Sequence, residues 1–510
     1  MNFSVTRNLC AVVLGVGLLS LTAVADTTFV NVNLTPTGTL NGQAHLAGSV
    51  SHSGIFVFVG GTAIVGTTNA AGNYTIVGVP AGIYMLTFSK CGFADQVLSG
   101  VTLGSAGQTV NVSLVTLAGS PTTQAQLFGD ALRLYSYDRF DSSIARCRAL
   151  ITGYPTGPYA AASRYRIGVA YNQRNQFDSA INNFSLLITT YPSDSLVPEA
   201  YYQRAFNKDS KRDYSGALAD AQFVIANYAT YPIADLAQHR IGLEQEALRN
   251  YSAAITAYLA VETNYPGSPE IPVSLYDAAQ RYLNGDQFTN AYTQFNKIVT
   301  TYPNTYEAER SSFYKGMCYY NQSDFANAIT AFTSSITSYP NGSRSDDAWY
   351  YRALAKYHSE AYTFAQAEAD FDSVVVKYPT VSLAPDAKYY MGNCQFYQGN
   401  YPTSIALFQA FIAAYPSNSF VDDARFKIGT AYYNAADYPN AQTAYTAYFN
   451  TYPNNKDAGD AHYWVGRCIE QLSGPGAPAA MTQYCIVKTQ YPNCSRYSAA
   501  VTKLGATVCP

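Results

Sequence analysis

The chain has 510 residues, which is enough for several domains or for one long array of repeats. Hydrophobic residues make up 48% of it, so it can bury a core, but charged residues make up only 13%, about half the usual share in a soluble protein. The formal net charge is −3, and a chain without an excess of Lys and Arg has no electrostatic basis for holding a phosphate backbone. We therefore expect no nucleic-acid partner.

Residues 1–25 have the three parts of a secretory signal peptide. Arg7 supplies the positive start, Leu9–Leu21 is an apolar run, and Ala23-Val24-Ala25 is a cleavage site of small residues. Cys10 lies at the start of the apolar run and not at the cleavage point, so we expect no lipid anchor. No later stretch approaches the roughly 18 consecutive apolar residues of a membrane helix. The sequence predicts an exported protein with no direct membrane span.

Residues 26–117 have the pattern of a small all-β domain. Apolar runs such as Ile55–Val59 and Ile83–Phe88 are separated by turns such as Gly60-Gly61 and Asn69–Asn73. Short β-branched and aromatic runs with turn residues between them are typical of a β-sandwich. The following residues, 118–123, are rich in Gly, Ser, Pro and Thr, and they predict a linker.

Two turn motifs in this region carry a resemblance to a known family. Residues 68–74 are Thr-Asn-Ala-Ala-Gly-Asn-Tyr, and residues 79–84 are Val-Pro-Ala-Gly-Ile-Tyr. Together they resemble the carboxypeptidase regulatory-like domain, whose fold is a transthyretin-like sandwich. The resemblance implies an accessory, non-catalytic module of a kind often appended to surface and outer-membrane proteins. It implies no peptidase activity.

Beyond the linker, a Tyr-Pro pair recurs at the end of each amphipathic run, most often at a step of 37 residues. A fixed period in this range predicts a solenoid, in which one helical unit stacks on the next. Proline ends the second helix of each unit because it cannot continue it, and the tyrosine is expected to pack on the first helix of the next unit. The ten tyrosines of this ladder are Tyr154, Tyr191, Tyr231, Tyr265, Tyr302, Tyr339, Tyr378, Tyr415, Tyr452 and Tyr491.

Small residues and rings fall in register with the ladder. Glycines such as Gly168 and Gly316 lie 24 positions before the proline, and rings such as Phe184 and Phe332 lie 16 positions after the glycine. Small residues let two helices approach closely, and a ring can fill the gap beside them. The spacing therefore predicts a series of helical hairpins.

This spacing resembles the tetratricopeptide repeat, a helix–turn–helix unit of about 34 residues. The linkage after each Tyr-Pro, and Ala461–Gly466 (Ala-His-Tyr-Trp-Val-Gly), resemble its envelope branch, which includes the Tol–Pal-associated periplasmic coordinator and the outer-membrane assembly lipoproteins. The resemblance covers residues 124–494, about ten repeats, and residues 495–510 are expected to form a cap helix. The expected fold is thus an N-terminal all-β transthyretin-like sandwich followed by an all-α superhelical solenoid.

A column of aromatic residues recurs three positions before the small residue of each unit. The resemblance places this column on the concave wall of the solenoid, where it would contact a partner. Tyrosine offers rigid apolar area and a hydroxyl, which suits peptide backbones and sugar rings; the same column could instead serve packing between repeats. Its members are Tyr165, Tyr202, His239, Tyr276, Phe313, Tyr350, Tyr389, Phe426 and Tyr463.

A set of aspartates also recurs, six positions before the small residue: Asp347, Asp386, Asp423 and Asp460. We expect them in the first turns of their helices, where a carboxylate is stabilised by the positive end of the helix dipole. The alternative is an acidic stripe that binds a basic partner.

Four cysteines lie near the C-terminus: Cys468, Cys485, Cys494 and Cys509. An exported protein folds in an oxidising compartment, where disulfides form. We expect Cys468 to pair with Cys485, and Cys494 to pair with Cys509. Cysteines in the middle of the array, such as Cys318, are instead expected to be small buried hydrophobic residues.

The sequence contains none of the common catalytic motifs, such as Gly-x-Ser-x-Gly, a phosphate-binding loop or His-Glu-x-x-His. We expect no enzyme, no cofactor and no metal site. The leading hypothesis is an exported scaffold whose solenoid binds a protein or peptide in the periplasm or at the surface of a bacterial cell. Two alternatives are self-association into a surface filament, and binding of a glycan such as peptidoglycan or exopolysaccharide along the aromatic groove.

Overall fold

The computed structural model of the protein describes residues 37–59, 65–90, 96–104, 106–114 and 124–509. The predicted signal peptide, residues 1–25, and the predicted linker, residues 118–123, lie outside these ranges. The chain divides into two compact units, Met1–Tyr159 and Ala160–Pro510.

The described residues of the first unit contain eight β-strands. They are β1 (Thr37–Leu46), β2 (Phe56–Val59), β3 (Val65–Thr67), β4 (Asn73–Pro80), β5 (Gly82–Ser89), β6 (Gln96–Leu103), β7 (Gln108–Thr109) and β8 (Val112–Leu114). One sheet has the order β4-β1-β7, with β8 also paired to β1, and the other has the order β3-β2-β5-β6. Strand β1 runs antiparallel to β4 and parallel to β7 and β8. The prediction of β-strands in this part of the chain is confirmed.

The two sheets share one hydrophobic core. Leu40 of β1 and Phe88 of β5 both lie in it and are almost fully buried. Tyr74 of β4 packs edge-on against Phe88 with 5.6 Å between the ring centroids, and its hydroxyl donates a 2.7 Å hydrogen bond to the carbonyl of Val110. A buried tyrosine needs such a partner for its polar end.

From Gln124 onward, the described residues form twenty-one helices, of which α1 and α2 belong to the first unit and α3 to α21 to the second. They are α1 (Gln124–Ser136), α2 (Phe140–Gly153), α3 (Ala160–Gln173), α4 (Phe177–Thr190), α5 (Val197–Ser210), α6 (Tyr214–Tyr228), α7 (Ala234–Ala247), α8 (Tyr251–Asn264), α9 (Ile271–Asn284), α10 (Phe288–Thr301), α11 (Tyr306–Tyr320), α12 (Phe325–Ser338), α13 (Ser345–His358), α14 (Phe364–Lys377), α15 (Ala384–Tyr397), α16 (Tyr401–Ala414), α17 (Val421–Asn434), α18 (Tyr438–Thr451), α19 (Ala458–Ser473), α20 (Pro478–Gln490) and α21 (Tyr497–Leu504). We call the odd-numbered helices α1 to α19 first helices and the even-numbered ones second helices.

Each first helix packs on the second helix that follows it, and a small residue allows the close approach. A Cβ built on Gly316 of α11 would lie 2.4 Å from the ring of Phe332 in α12, and one on Gly168 of α3 would lie 2.7 Å from Phe184 in α4. No larger side chain fits at such a contact without displacing the ring. We call this small-residue position the slot. The predicted pairing of a small residue with a ring across a helical hairpin is confirmed.

The second helices end directly before the tyrosines of the ladder, except that α6 ends at Tyr228, three residues before Tyr231. The N–H of Tyr415 donates to the carbonyl of Phe411 in the last turn of α16, and Pro416 cannot extend the helix further. The ring of Tyr415 joins a hydrophobic cluster that contains Val421 and Ala424 at the start of α17. The tyrosine therefore packs at the start of the next first helix, as its place in the sequence predicts.

The recurring aspartates lie in the first turns of first helices, as predicted. Asp386 of α15 accepts a 2.8 Å hydrogen bond from Nδ2 of Asn418, in the loop before α17. Asp460 of α19 accepts a 2.8 Å bond from the N–H of Arg496, in the loop before α21. The carboxylates of Asp386 and Asp460 thus lie at the positive ends of their own helices, and each also binds the loop that leads to the next odd-numbered helix.

Candidate functional site

The column of rings predicted to contact a partner lies on the first helices, and each ring packs on the second helix of its own hairpin. Tyr276 of α9 meets Phe295 of α10 edge-on with 5.8 Å between centroids. Phe426 of α17 meets Tyr445 of α18 at 5.3 Å. Except at Tyr202, whose hairpin has Ala221 in place of a ring, the column covers the rings that fill the slots. Tyr276 also lies 6.0 Å from Tyr314 of α11, a contact between repeats of the kind that the sequence left open as an alternative.

Members of the column differ in their exposure. Five are buried, with 4% to 6% of their surface exposed: Tyr276, Phe313, Tyr350, Tyr389 and Tyr463. Four are half-buried: Tyr165, Tyr202, His239 and Phe426. The buried rings cannot offer a face to another molecule. Partner contact by the column therefore stays a prediction for the half-buried members, of which three follow one another on α3, α5 and α7.

These three side chains take part in polar contacts between consecutive repeats. The hydroxyl of Tyr165 on α3 donates a 3.1 Å hydrogen bond to Oε1 of Glu199 on α5. On α7, Nε2 of His239 lies 2.9 Å from Oδ2 of Asp277 in α9, and its Nδ1 lies 3.6 Å from Oε2 of Glu270. The contacts fix these side chains across helices α3 to α9.

Arg240 of α7 supplies the positive charge in this region. Its guanidinium lies 5.8 Å from the ring centroid of Tyr202 and 5.2 Å from that of Phe206, and its Nη1 donates a 3.1 Å bond to Asp209. Burial raises the pKa of Tyr202, an effect that Arg240 partly offsets, so the hydroxyl stays neutral. We define the first-helix network as Tyr165, Glu199, Tyr202, His239, Arg240, Glu270 and Asp277.

One turn after Arg240, the carboxyl group of Glu244 is buried. Its side chain is 1% exposed, and neither oxygen has a hydrogen-bond partner among the described residues. Nη1 of Arg240 lies 3.6 Å from Oε1. Burial first, and Asp209 second, raise the pKa of Glu244 to about 8, against the opposing effect of Arg240. The carboxyl group is therefore mostly protonated at neutral pH.

Two repeats contain a buried Arg-Lys-Asp cluster that the repeat pattern did not predict. In the hairpin of α5 and α6, Nη2 and Nε of Arg204 donate to the two carboxylate oxygens of Asp220 at 2.6 and 2.8 Å. Nζ of Lys208 lies 2.8 Å from the same carboxylate. Nη1 of Arg204 also donates to Ser185 on α4 at 3.0 Å. One carboxylate thus binds two cations, and the arginine joins three helices.

The hairpin of α13 and α14 repeats this arrangement. Nε and Nη2 of Arg352 donate to Asp370 at 2.7 and 2.8 Å, and Nζ of Lys356 lies 2.8 Å away. Nη1 of Arg352 donates to Thr333 on α12 at 3.1 Å. The sequence contains a motif that marks both clusters: α5 and α13 each have Arg-Ala-x-x-Lys with the alanine at the slot.

The helical repeats of the chain match the models of two known protein families. The model of the outer membrane lipoprotein family YfiO matches residues 270–395 and 385–503. A tetratricopeptide repeat model matches residues 162–194. The chain is a tetratricopeptide-repeat protein. Repeats of this kind are scaffolds for protein–protein interaction.

Solved structures of other proteins resemble this tetratricopeptide-repeat protein at low sequence identity. The C-terminal part of a TPR repeat-containing protein from Cytophaga hutchinsonii is 17% identical, with a TM-score of 0.42, over 51% of this chain and 98% of that one. A tetratricopeptide repeat protein from Parabacteroides merdae is 14% identical, with a TM-score of 0.34, over 52% and 96%. The TPR2AB domain of yeast Sti1, solved as a complex with pHSP90, is 21% identical, with a TM-score of 0.24, over 55% and 100%. No curated protein matches the sequence.

The C-terminal cysteines of the tetratricopeptide-repeat protein do not pair as predicted. A disulfide joins Cys485 of α20 to Cys509, whereas Cys468 and Cys494 are free thiols. The predicted pair of Cys468 with Cys485 is therefore wrong, because Cys468 packs in a cluster with Tyr445 of α18. The predicted pair of Cys494 with Cys509 is also wrong. Cys494 lies in the loop after α20, and α21 packs back on α20 and brings Cys509 beside Cys485.

Cys318 and Cys394, inside the array of this tetratricopeptide-repeat protein, are free and buried, as predicted, and Cys468 is buried as well. Burial raises the pKa of Cys318 and of Cys468 to about 12, and burial shifts Cys394 in the same direction. The thiolate is the reactive form of cysteine. These thiols therefore act as small hydrophobic side chains.

Among the residues that the structure describes, no group of three or more His, Cys, Asp or Glu side chains is placed to hold a metal ion. None of the described helices combines the length and the apolarity that crossing a bilayer requires. The first-helix network brings partly exposed rings and charged groups together, and it is the candidate site of this tetratricopeptide-repeat protein.

Proposed function

We propose that the protein is an exported, non-enzymatic scaffold that holds a protein or peptide in the bacterial envelope, in the periplasm or at the cell surface. Its repeats support a role in protein–protein interaction. The match of residues 270–395 and 385–503 to an outer membrane lipoprotein family supports an envelope location. The signal-peptide pattern of residues 1–25 supports export. The repeats are of the envelope type that also includes the Tol–Pal-associated coordinator and the outer-membrane assembly lipoproteins.

The partner binds along the first-helix network. The observation that carries this choice is the half-burial of Tyr165, Tyr202 and His239, which lie at equal steps of 37 residues on three consecutive first helices. Their hydrogen bonds and ring contacts hold them in place before a partner arrives, so binding costs little side-chain entropy. Tyr and Arg side chains anchored in this way are enriched among the residues that dominate interface energies.

The charges of the network indicate the chemistry of the partner. The network contains three carboxylates, those of Glu199, Glu270 and Asp277, which contact Tyr165 and His239, and one guanidinium, that of Arg240, which pairs with Asp209. Complementary charge guides association and selects partners. A partner segment that carries basic residues beside apolar ones therefore fits this surface better than an acidic one.

The N-terminal strands form an accessory module of the carboxypeptidase regulatory-like type, with a transthyretin-like sandwich. Two sheets over one core support this assignment. So does the turn at Asn69, whose side-chain oxygen accepts 3.0 Å bonds from the N–H groups of Ala71 and Asn73. The proposed domain limits are residues 26–117 for the module, 118–123 for the linker, 124–494 for about ten repeats and 495–510 for the cap.

Cross-linking of the mature protein in bacterial envelope extract tests the proposed function. The test variant is Tyr202→Ala with His239→Ala, which removes two rings from the network. The matched control is Tyr251→Ala with Tyr306→Ala, since both tyrosines are exposed and lie outside the network. We expect the wild type and the control to capture the same partner and the test variant to lose at least nine-tenths of it.

Circular dichroism spectra of the two variants establish that both retain the helical fold. Recovery of the same partner, in the same amount, by the test variant and the wild type would refute binding along the network. Absence of any saturable protein partner in envelope extract would refute the scaffold itself.

A further inference from the structure

In two repeats, the side chain four positions before the slot reaches a polar side chain on the second helix. Nη1 of Arg164 donates to Oδ1 of Asn183 at 3.5 Å, and Nδ1 of His462 lies 2.7 Å from Oε1 of Gln483. In both cases the partner is the residue just before the ring that faces the slot. This contact gives a polar side chain on the first helix a hydrogen bond inside the hairpin.

Arg425 of α17 occupies the same position but has no such partner. The residue before the facing ring, Tyr445, is Ala444, whose side chain is only a methyl group. Nε of Arg425 is buried without a hydrogen-bond partner, and no carboxylate of the described residues forms an ion pair with this guanidinium. A cation that is partly removed from water without an acceptor is less stable than one that has a hydrogen-bond partner.

A cavity of about 300 Å³ lies beside this arginine, between α16, α17 and α18. Its wall is mostly aliphatic, and the small side chains of α18 leave it open. The lining includes Ile412, Ala413, Arg425, Ile428, Ala444 and Ala447. An apolar cavity of this size with one charged group is typical of a site for a small amphiphilic molecule.

The acidic residues on the same turn of α17 are already engaged elsewhere. Asp422 accepts a 2.8 Å bond from Nδ2 of Asn455. Asp423 accepts a hydrogen bond from the hydroxyl of Tyr389 and lies 3.9 Å from Nζ of Lys427. They therefore do not neutralise Arg425, and the anion that would complete this site comes from outside the described part of the chain.

We propose that the cavity binds an aliphatic carboxylate, namely a free fatty acid of medium chain length. The carboxylate pairs with the guanidinium of Arg425, whose planar donors match the two carboxylate oxygens. The chain lies against Ile412 and Ile428, where burial of methylene groups is favourable. This site lies on α16 to α18, apart from the first-helix network, and it does not rest on the proposed function.

Calorimetric titration of the mature chain with sodium decanoate, below its micelle concentration, tests the proposal. Decanol has the chain without the charge, and acetate has the charge without the chain. We expect decanoate to bind saturably at one site and both probes to bind at least tenfold more weakly. Arg425→Gln, which removes the charge, and Ala444→Leu, which fills the cavity, should each weaken decanoate binding at least tenfold.

Arg164→Gln is the matched control, because it changes the equivalent arginine of another repeat, and it should leave decanoate binding unchanged. Arg425→Lys should retain part of the affinity, which separates loss of charge from loss of fold. Two results would overturn the proposal: no saturable binding to the wild type, or equal binding to the wild type, Arg425→Gln and Ala444→Leu. Equal affinity for decanol and decanoate would overturn it as well.

Discussion

The hydroxyl of Tyr339 donates a hydrogen bond to the carbonyl of Pro303, 3.0 Å away and one repeat earlier. Tyr491 makes the same bond to Pro453 at 3.2 Å. The ring of a ladder tyrosine packs towards the next repeat, whereas its hydroxyl reaches back to the previous one. A single side chain thus couples successive repeats, and in a linear array the stability depends on such contacts between neighbours.

Tyr339→Phe should lower the free energy of unfolding by about 0.5–1 kcal/mol, because it removes this hydrogen bond and keeps the ring. Tyr306→Phe is the control, since Tyr306 is exposed and its hydroxyl has no hydrogen-bond partner among the described residues. Urea unfolding followed by circular dichroism measures the difference. Equal midpoints for the two variants would show that the bond to Pro303 does not couple the repeats.

Asp370→Ala should destabilise the second unit by about 3–5 kcal/mol, because it leaves Arg352 and Lys356 partly buried without their shared counter-ion. Asp220→Ala should have an effect of similar size, since its hairpin has the same contacts. Asp372→Ala, at an exposed position two residues from Asp370, is the control. If denaturant midpoints show Asp370→Ala to be no worse than Asp372→Ala, the cluster contributes nothing to stability.

Gly316→Ala should destabilise the protein by about 1–3 kcal/mol, because the new Cβ would lie 2.4 Å from the ring of Phe332. Gly129→Ala is the opposite case: this glycine lies in helix α1 with open space around it, and alanine there should stabilise the helix by up to about 1 kcal/mol. Thermal unfolding of the two variants measures both effects. A second change, Phe332→Leu, should restore part of the stability lost in Gly316→Ala. If it does not, contact with the Phe332 ring is not the cause of the destabilisation.

Glu244 should make the stability fall as the pH rises. Its pKa is about 8 in the folded protein and 4.5 as an ordinary glutamate. Between these values the unfolded chain releases the proton while the folded chain keeps it, so rising pH favours unfolding in this window. Glu244→Gln cannot ionise. It should match the wild type near pH 5 and be more stable near pH 9, by on the order of 3 kcal/mol.

Denaturant midpoints across this pH range check the Glu244 prediction. Glu360→Gln, which changes an exposed glutamate, should follow the wild type at every pH. Parallel pH profiles for the wild type and Glu244→Gln would mean that this carboxyl group ionises normally in the folded protein.

The helical array could be predicted because its essential contacts recur at fixed spacing. Gly316 and Phe332 are 16 residues apart, and Gly168 and Phe184 are as well, so one close helix contact explains both pairs. Exposure could not be predicted in the same way. Tyr350 is buried against Phe371 and Tyr390, but Tyr202, in the same register, has Arg240 beside it and stays partly exposed. The burial of a repeated position depends on neighbours that do not repeat.

The buried clusters and the disulfide depend on contacts that periodicity does not encode. Arg204 and Asp220 are separated by 16 residues, whereas Arg352 and Asp370 are separated by 18, because the second hairpin has a longer turn. A search at one fixed spacing misses the second pair. The sequence could not predict the disulfide partner of Cys485 either, because the partner depends on how α21 packs on α20.

A disulfide at one end of a stack of helical hairpins makes that end unfold later than the other end. The last hairpin of such a stack has a neighbour on one side only, so the ends open first. Between Cys485 and Cys509 the disulfide closes a loop that would otherwise open with α21. In an oxidising compartment, we expect the second unit to protect the amide hydrogens of α20 and α21 longer than those of α3 and α4, and reduction should abolish the difference. The redox state of the compartment would then decide from which end the array is taken apart.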